Sequence, residues 1–147
     1  MAYKTWWAIE KRVIHQVCSG ELTLEELGRA NVEVVAAIHE GTPLVHIIVD
    51  LTDITRFPTN LKELAGVFKR DDATTERTGW LCVVGVNAII RFFASIISQL
   101  WNKSRFRMFA SVDEAYSFLG KFDPSLDVTQ AKRQLLTNEA ASNPKQQ

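Results

Sequence analysis

The stretch Leu44-Val45-His46-Ile47-Ile48-Val49-Asp50-Leu51 decides the fold. Apart from His46 and Asp50 it is entirely aliphatic and mostly β-branched, the pattern of a central strand covered on both faces. Gly41-Thr42-Pro43 precedes it and ends a helix. That helix opens at a capping box, Thr23 with Glu26, in which the threonine hydroxyl and the glutamate carboxylate each bond the other's backbone N–H. Leu24, Leu27, Val34, Val35 and Ile38 keep one apolar stripe at helical spacing as far as about Glu40.

Upstream, Tyr3 to Ile9 and Val13 to Ser19 are rich in aromatic and β-branched residues. Only the charged turn Glu10-Lys11-Arg12 separates them, so they form an antiparallel hairpin. Downstream, a polar loop leads to a short helix through Lys69 that Thr59 or Asn60 can cap, with Leu61, Leu64, Ala65 and Phe68 facing inward. Lys69 to Thr78 is a mixed-charge surface loop, and Gly79 to Val86 is the next apolar strand. Asn87 caps a helix to about Trp101, and Phe106 to Ala110 is the last strand. Ser111 with Glu114 caps a further helix, and Val128, Ala131, Leu135 and Leu136 mark a final one. Residues 138–147 are polar and expected to be disordered. Alternating strands and helices predict an α/β domain: a mixed five-stranded sheet with four to five helices and parallel later strands, with Ile47, Val49, Leu81 and Val83 in the core.

The chain has 147 residues, 46% of them hydrophobic and 23% charged, so one core suffices. The formal net charge is zero, which argues against nucleic acid as a partner because phosphate neutralisation supplies most of that affinity. Cys18 and Cys82 each sit in an apolar run and read as buried thiols. The start, Met1-Ala2-Tyr3-Lys4, lacks signal-peptide character, and no apolar run is long enough to form a transmembrane segment; a cytoplasmic setting is expected.

The order and spacing of Gly20-Glu21-Leu22-Thr23, Ile48-Val49-Asp50-Leu51-Thr52-Asp53, Thr78-Gly79-Trp80 and Arg105-Phe106-Arg107-Met108-Phe109 running into Ser111-Val112-Asp113-Glu114-Ala115 resemble the SpoIIAA-like fold, shared by STAS and CRAL-TRIO domains. More narrowly, the chain resembles the small bacterial STAS-like proteins. The resemblance covers residues 3 to about 126. It implies a single STAS-like domain over 1–126, with 127–147 as a C-terminal helix and tail. It also implies a non-enzymatic regulatory or protein-interaction module without a cofactor, or alternatively a carrier of a small apolar ligand or lipid. In the STAS antagonists a serine at the position of Thr59 is phosphorylated. Pro58 stands here in place of aspartate and Leu61 in place of glycine, so Thr59 is expected to be a helix cap.

Catalytic constellations are missing from the sequence: there is no Gly-x-Ser-x-Gly elbow and no phosphate-binding glycine loop. His46 and Asp50 share a strand face that His15 could join, but zinc needs three or four converging ligands. His39 is expected to complement the C-terminal end of its helix. Gly85-Val86-Asn87 could offer N–H groups to an anion. Ligands of open α/β sheets gather beyond the carboxyl ends of the strands, where Asp50, Thr52, Asp53, Thr59, Gly85 and Asn87 should lie. Their ordinary roles are capping and turn formation. Lys103, Arg105 and Arg107 form a basic cluster suited to solvating a loop.

The helix from Ala88 to Trp101 keeps Arg91, Ser95, Ser98, Gln99 and Asn102 on one side, leaving an apolar arc of about 200° at about 100° per residue. A helix on a sheet needs a stripe only somewhat wider than about 100°. Phe93, Leu100 and Ile89 lie at the arc's centre, and Ile90, Phe92 and Trp101 at its margins. Adjacent helices could cover these margins. A homo-oligomer or protein partner could do so equally, which makes Ile90, Phe92 and Trp101 candidate interface residues.

Overall fold

The computed structural model describes residues 2–100 and 105–142, excepting the side chains of 98–100 and 138–142. The strands are β1 (Tyr3–Ile9), β2 (Val13–Glu21), β3 (Val45–Arg56), β4 (Thr78–Val84) and β5 (Phe106–Phe109). The helices are α1 (Leu24–Glu40), α2 (Leu61–Phe68), α3 (Asp72–Arg77), α4 (Ala88–Leu100), α5 (Val112–Phe122) and α6 (Val128–Ser142). The strands lie in sequence order, β1 antiparallel to β2 and every later neighbour parallel. The expected mixed five-stranded sheet is therefore present.

From Val45 to Val49, β3 is buried on both faces. Ile47 and Val49 join Ile14, Leu81 and Val83 beneath α1, α2 and α4. Ile48 joins Val13, Cys82 and Val84 against Ala115, Tyr116 and Leu119 of α5 and Ala131 of α6. Burying one such aliphatic side chain contributes roughly 1.5–3 kcal/mol. Period-two alternation thus assigns each residue of the strand to one of two helical layers.

Both expected capping motifs shape helix starts, the first as a reciprocal box and the second as a one-way cap. Thr23 Oγ1 accepts from Glu26 N–H at 3.1 Å, and Glu26 Oε1 accepts from Thr23 N–H at 3.3 Å. Ser111 accepts from Glu114 N–H at 3.2 Å, whereas the Glu114 carboxylate reaches one residue further back, to Ala110 N–H. Gly85 has φ +136, and a Cβ there would overlap Ile90 Cδ1. Gly79 likewise leaves room for the His46 ring.

The structure corrects four expectations. β3 continues to Arg56 instead of ending in a loop, because β2 goes on pairing with it through Ser19, Gly20 and Glu21. Backbone pairing there is indifferent to the polar side chains outside. The surface loop before β4 contains α3, whose one buried residue is Thr74, so no aliphatic stripe announced it. Arg77 at the end of α3 donates to the carbonyls of Ile38, His39 and Gly41, so it, and not His39, satisfies the C-terminal carbonyls of α1. His39 instead bonds Thr74 Oγ1 at 2.8 Å. Finally, α6 extends to Ser142, into the stretch expected to be disordered, and packs on α5 and β1.

Ile47→Ala is expected to cost about 2–5 kcal/mol in urea unfolding, since the site is walled by rigid neighbours. A loss of a few tenths would contradict the central position of β3. Gly85→Ala should destabilise by more than about 1 kcal/mol, because alanine resists this φ and collides with Ile90.

Candidate functional site

The carboxyl ends of β2 to β5 gather the predicted edge residues. Asp50 Oδ1 accepts from the backbone N–H of Thr52 at 3.0 Å and from its hydroxyl at 2.5 Å, which turns the carboxylate onto its own strand. Asp53 and Thr59 are exposed. Asn87 Oδ1 accepts from Ile90 N–H at 3.0 Å and caps α4 as expected. Thr59 is not the cap of α2. Asn60 Oδ1 takes that role, accepting from Glu63 N–H at 3.0 Å, because the extended backbone at Asn60 places its own side chain over the first turn. Gly85 N–H donates to Phe109 carbonyl at 2.9 Å, so it is not free for an anion.

Two apolar residues at this edge were missed by the sequence reading. Val86, just past β4, is 68% exposed, and Leu61, at the start of α2, is 59% exposed. Leu61 was expected to face inward with Leu64 and Phe68. It fails to do so because it is the first residue of the helix, with no turn before it to close the core around it.

The candidate interface on α4 changes. Ile90 is fully buried, inserted beside Gly85, and so is withdrawn from the interface set. Phe93 meets Phe57 and Phe68 edge-on at 5.2 and 5.4 Å, and these aromatic side chains help cover the helix within the chain. Ile89, expected at the arc's centre, is only partly buried, as is Phe92; both pack against the core. Trp101 lies outside the described residues.

His15 and His46 are buried on the α5 face of the sheet. His15 Nδ1 lies 2.7 Å from Tyr116 Oη, and its ring stacks on Trp6 at 4.4 Å. His46 Nδ1 accepts from Trp80 N–H at 3.0 Å, which leaves its own proton on Nε2. Burial pushes both imidazoles down to about 4 from 6.5; for His46 the Arg12 charge adds to it. Asp50 stays with Thr52, and no three His, Cys, Asp or Glu side chains among the described residues group to hold a metal. Burial pushes the Cys18 and Cys82 thiols up to about 12, far from nucleophilic thiolates. Among the described residues, no helix is long and apolar enough to cross a membrane.

A cavity of about 30 Å³ lies between the sheet and α1, α2 and α4. Gln16, Asn31 and Arg70 bring polar groups to its otherwise apolar wall. It has room for a water molecule, not for a drug-sized ligand, which needs roughly 300–1,000 Å³.

No protein-family model matches the sequence, and no curated protein matches it. The fold does match solved structures. The anti-sigma factor antagonist SpoIIAA in its unphosphorylated form superposes with a TM-score of 0.54 at 15% identity, over 80% of this chain and 96% of that one. An uncharacterised DUF3478 protein with a SpoIIAA-like fold, from Shewanella loihica, superposes at 0.57 with 13% identity, over 80% and 94% of the two chains. The chain therefore has the SpoIIAA-like α/β fold, as its sequence resemblance implied.

The buried histidines predict a pH dependence. Their folded values lie below the unfolded one, so the unfolded chain binds more protons and stability falls as pH drops from 6.5 towards 4. A drop of this size corresponds to on the order of 3 kcal/mol per histidine. Urea unfolding between pH 6.5 and 5, where carboxylates remain largely ionised, should show the first part of this loss, and His15→Phe should roughly halve its slope. A flat profile there would contradict neutral burial. Separately, Asn60→Ala should cost about 0.5–2 kcal/mol, while Thr59→Ala should stay within a few tenths.

Proposed function

We propose that the protein is a regulatory, protein-interaction module that engages a partner through the carboxyl edge of its sheet. The observation that carries this reading is the exposure, on a SpoIIAA-like frame, of apolar Leu61 and Val86 and of polar Asp53, Thr55 and Thr59 in the segments at and just beyond the carboxyl ends of β3 and β4. An apolar centre with a polar surround is the composition of a protein-binding patch. Val86 sits in the loop before α4, and Leu61 opens α2, so neither is needed for the core and both are free to serve recognition.

The chemistry of the remaining side chains supports a binding role over catalysis. Both buried histidines are engaged by structural partners and both thiols are raised, which leaves the edge without an activated base or nucleophile among the described residues. Two buried, unpaired thiols fit a reducing compartment such as the cytoplasm. The alternative of an apolar-ligand carrier finds little support in a cavity of about 30 Å³.

The test starts from the partner recovered with the protein from its own host and then purified. Leu61→Asp and Val86→Asp should each weaken binding about tenfold or more while leaving the unfolding midpoint in place, as expected of hot-spot positions that are exposed in the free chain. Equal binding by both variants would remove this edge from recognition. Phosphate found stoichiometrically on Thr59 in host-derived protein would add a switch to the same surface.

A further inference from the structure

We propose that the protein pairs with a second copy of itself through the outer edge of β1, extending two five-stranded sheets into one. The inference starts from hydrogen-bond parity. In an antiparallel ladder, residues alternate between bonding to the partner strand and pointing their N–H and C=O away from it. Ser19 N–H donates to Ala2 carbonyl at 2.8 Å, and the ladder continues in register, Tyr3 opposite Cys18 and Trp7 opposite Ile14. Lys4 and Trp6 therefore bond inward to β2. Tyr3, Thr5 and Trp7 direct their backbone groups to the outer edge, where no described residue bonds to them.

This edge is unlike the opposite one. β5 is four residues long, follows Arg105 and contains Arg107, features that discourage strand addition. β1 is seven residues long, rich in aromatic and β-branched residues, and regular from Tyr3 to Trp7, where a register shift ends the run. A regular run centred on Thr5 is self-complementary. When Thr5 faces Thr5 of a second copy across a two-fold axis, Tyr3 faces Trp7 of the copy and Lys4 faces Trp6. All the outward N–H and C=O groups of the run then find partners, and every facing pair shares a side of the sheet.

The side-chain pairing suits that register. Lys4 and Trp6 lie on the α5 face, where Lys4 Nζ already sits 6.0 Å from the Trp6 ring centroid. Across the axis each lysine meets another indole, and cation–π attraction replaces charge repulsion. On the α1 face, Tyr3 and Trp7 form cross-strand aromatic pairs. A symmetric pairing also explains the choice of a second copy over an unrelated strand: the same residues supply both sides of every pair. The proposal does not depend on the carboxyl edge, which would remain open in such a dimer.

Cysteine cross-linking reads the register. The two Thr5 positions would form a hydrogen-bonded pair about 5.5 Å apart at Cα, within disulfide range, whereas the two Lys4 positions would lie beyond about 7 Å. Cys18 and Cys82 are buried and do not compete. Under mild oxidation of the full-length protein, Thr5→Cys should give a disulfide-linked dimer at least about tenfold faster than Lys4→Cys, as a millimolar effective concentration requires over micromolar collision. Hydrogen exchange of the unmodified protein should show protection of the Tyr3, Thr5 and Trp7 amides that rises with protein concentration, while the Lys4 and Trp6 amides stay protected throughout. Equal cross-linking of the two variants, or a sedimenting monomer with concentration-independent exchange at Thr5, would overturn the proposal.

Discussion

The parallel pairing of β3 between β2 and β4 is the constraint on which the rest of the molecule depends. A strand in that position has no solvent face, so alternate residues must be matched to different helical layers. Ile47 and Val49 commit one side to α1, α2 and α4, and Ile48 commits the other to α5 and α6. The same alternation carries His46 into the second layer. Because an unpaired buried polar group costs far more than its hydrogen bond returns, that layer had to supply partners. The β4 backbone N–H of Trp80 serves His46, and Tyr116 of α5 serves Nδ1 of His15, while Nε2 of His15 is left without a partner among the described residues. The position of α5 is thus tied to His15 through the Tyr116 hydrogen bond and to His46 through the edge-on ring of Phe122, as well as to aliphatic packing.

The helices are secured at their ends by groups distant in sequence. Arg77 closes α1 from α3, Asn31 on α1 donates to the Val67 carbonyl in α2, and Arg12 in the hairpin pairs with Asp123 after α5 at 2.6 Å. These bonds lie toward the interior or at the amino ends of the parallel strands. At the carboxyl ends the polar residues mostly serve their own backbone, as Asp50 does with Thr52 and Asn87 with α4. That division leaves a well-braced frame with an open edge, an arrangement that suits recognition better than catalysis.

The likeness to SpoIIAA, at 15% identity, fixes the frame and nothing finer. Thr59, which the sequence resemblance set against a phosphorylated serine, is exposed and makes no cap, while Asn60 holds the helix. The hydroxyl is therefore released from structural duty, the opposite of what its sequence context implied. Nothing in the helix requires it to remain unmodified.

Sequence alone determined the order of the five strands and of every helix but α3, the Thr23 capping box, the Ser111 cap and the central strand, because each rests on local periodicity or on side chains within a few residues of one another. Thr23, Ser111 and Asn87 could be placed in this way, as could Ile47 and Val49 in the core. Only the tertiary structure decided which margin of α4 was covered, since Ile90 is buried by the space that Gly85 leaves and not by any property of its own helix. It also revealed α3, whose stability comes from Asp71 and from the packing of Thr74, and the extension of β3, which follows from its pairing with β2. The edge residues Leu61 and Val86 escaped notice for the same reason. Their apolar character reads as core in one dimension, and only the folded chain shows that no second layer reaches them.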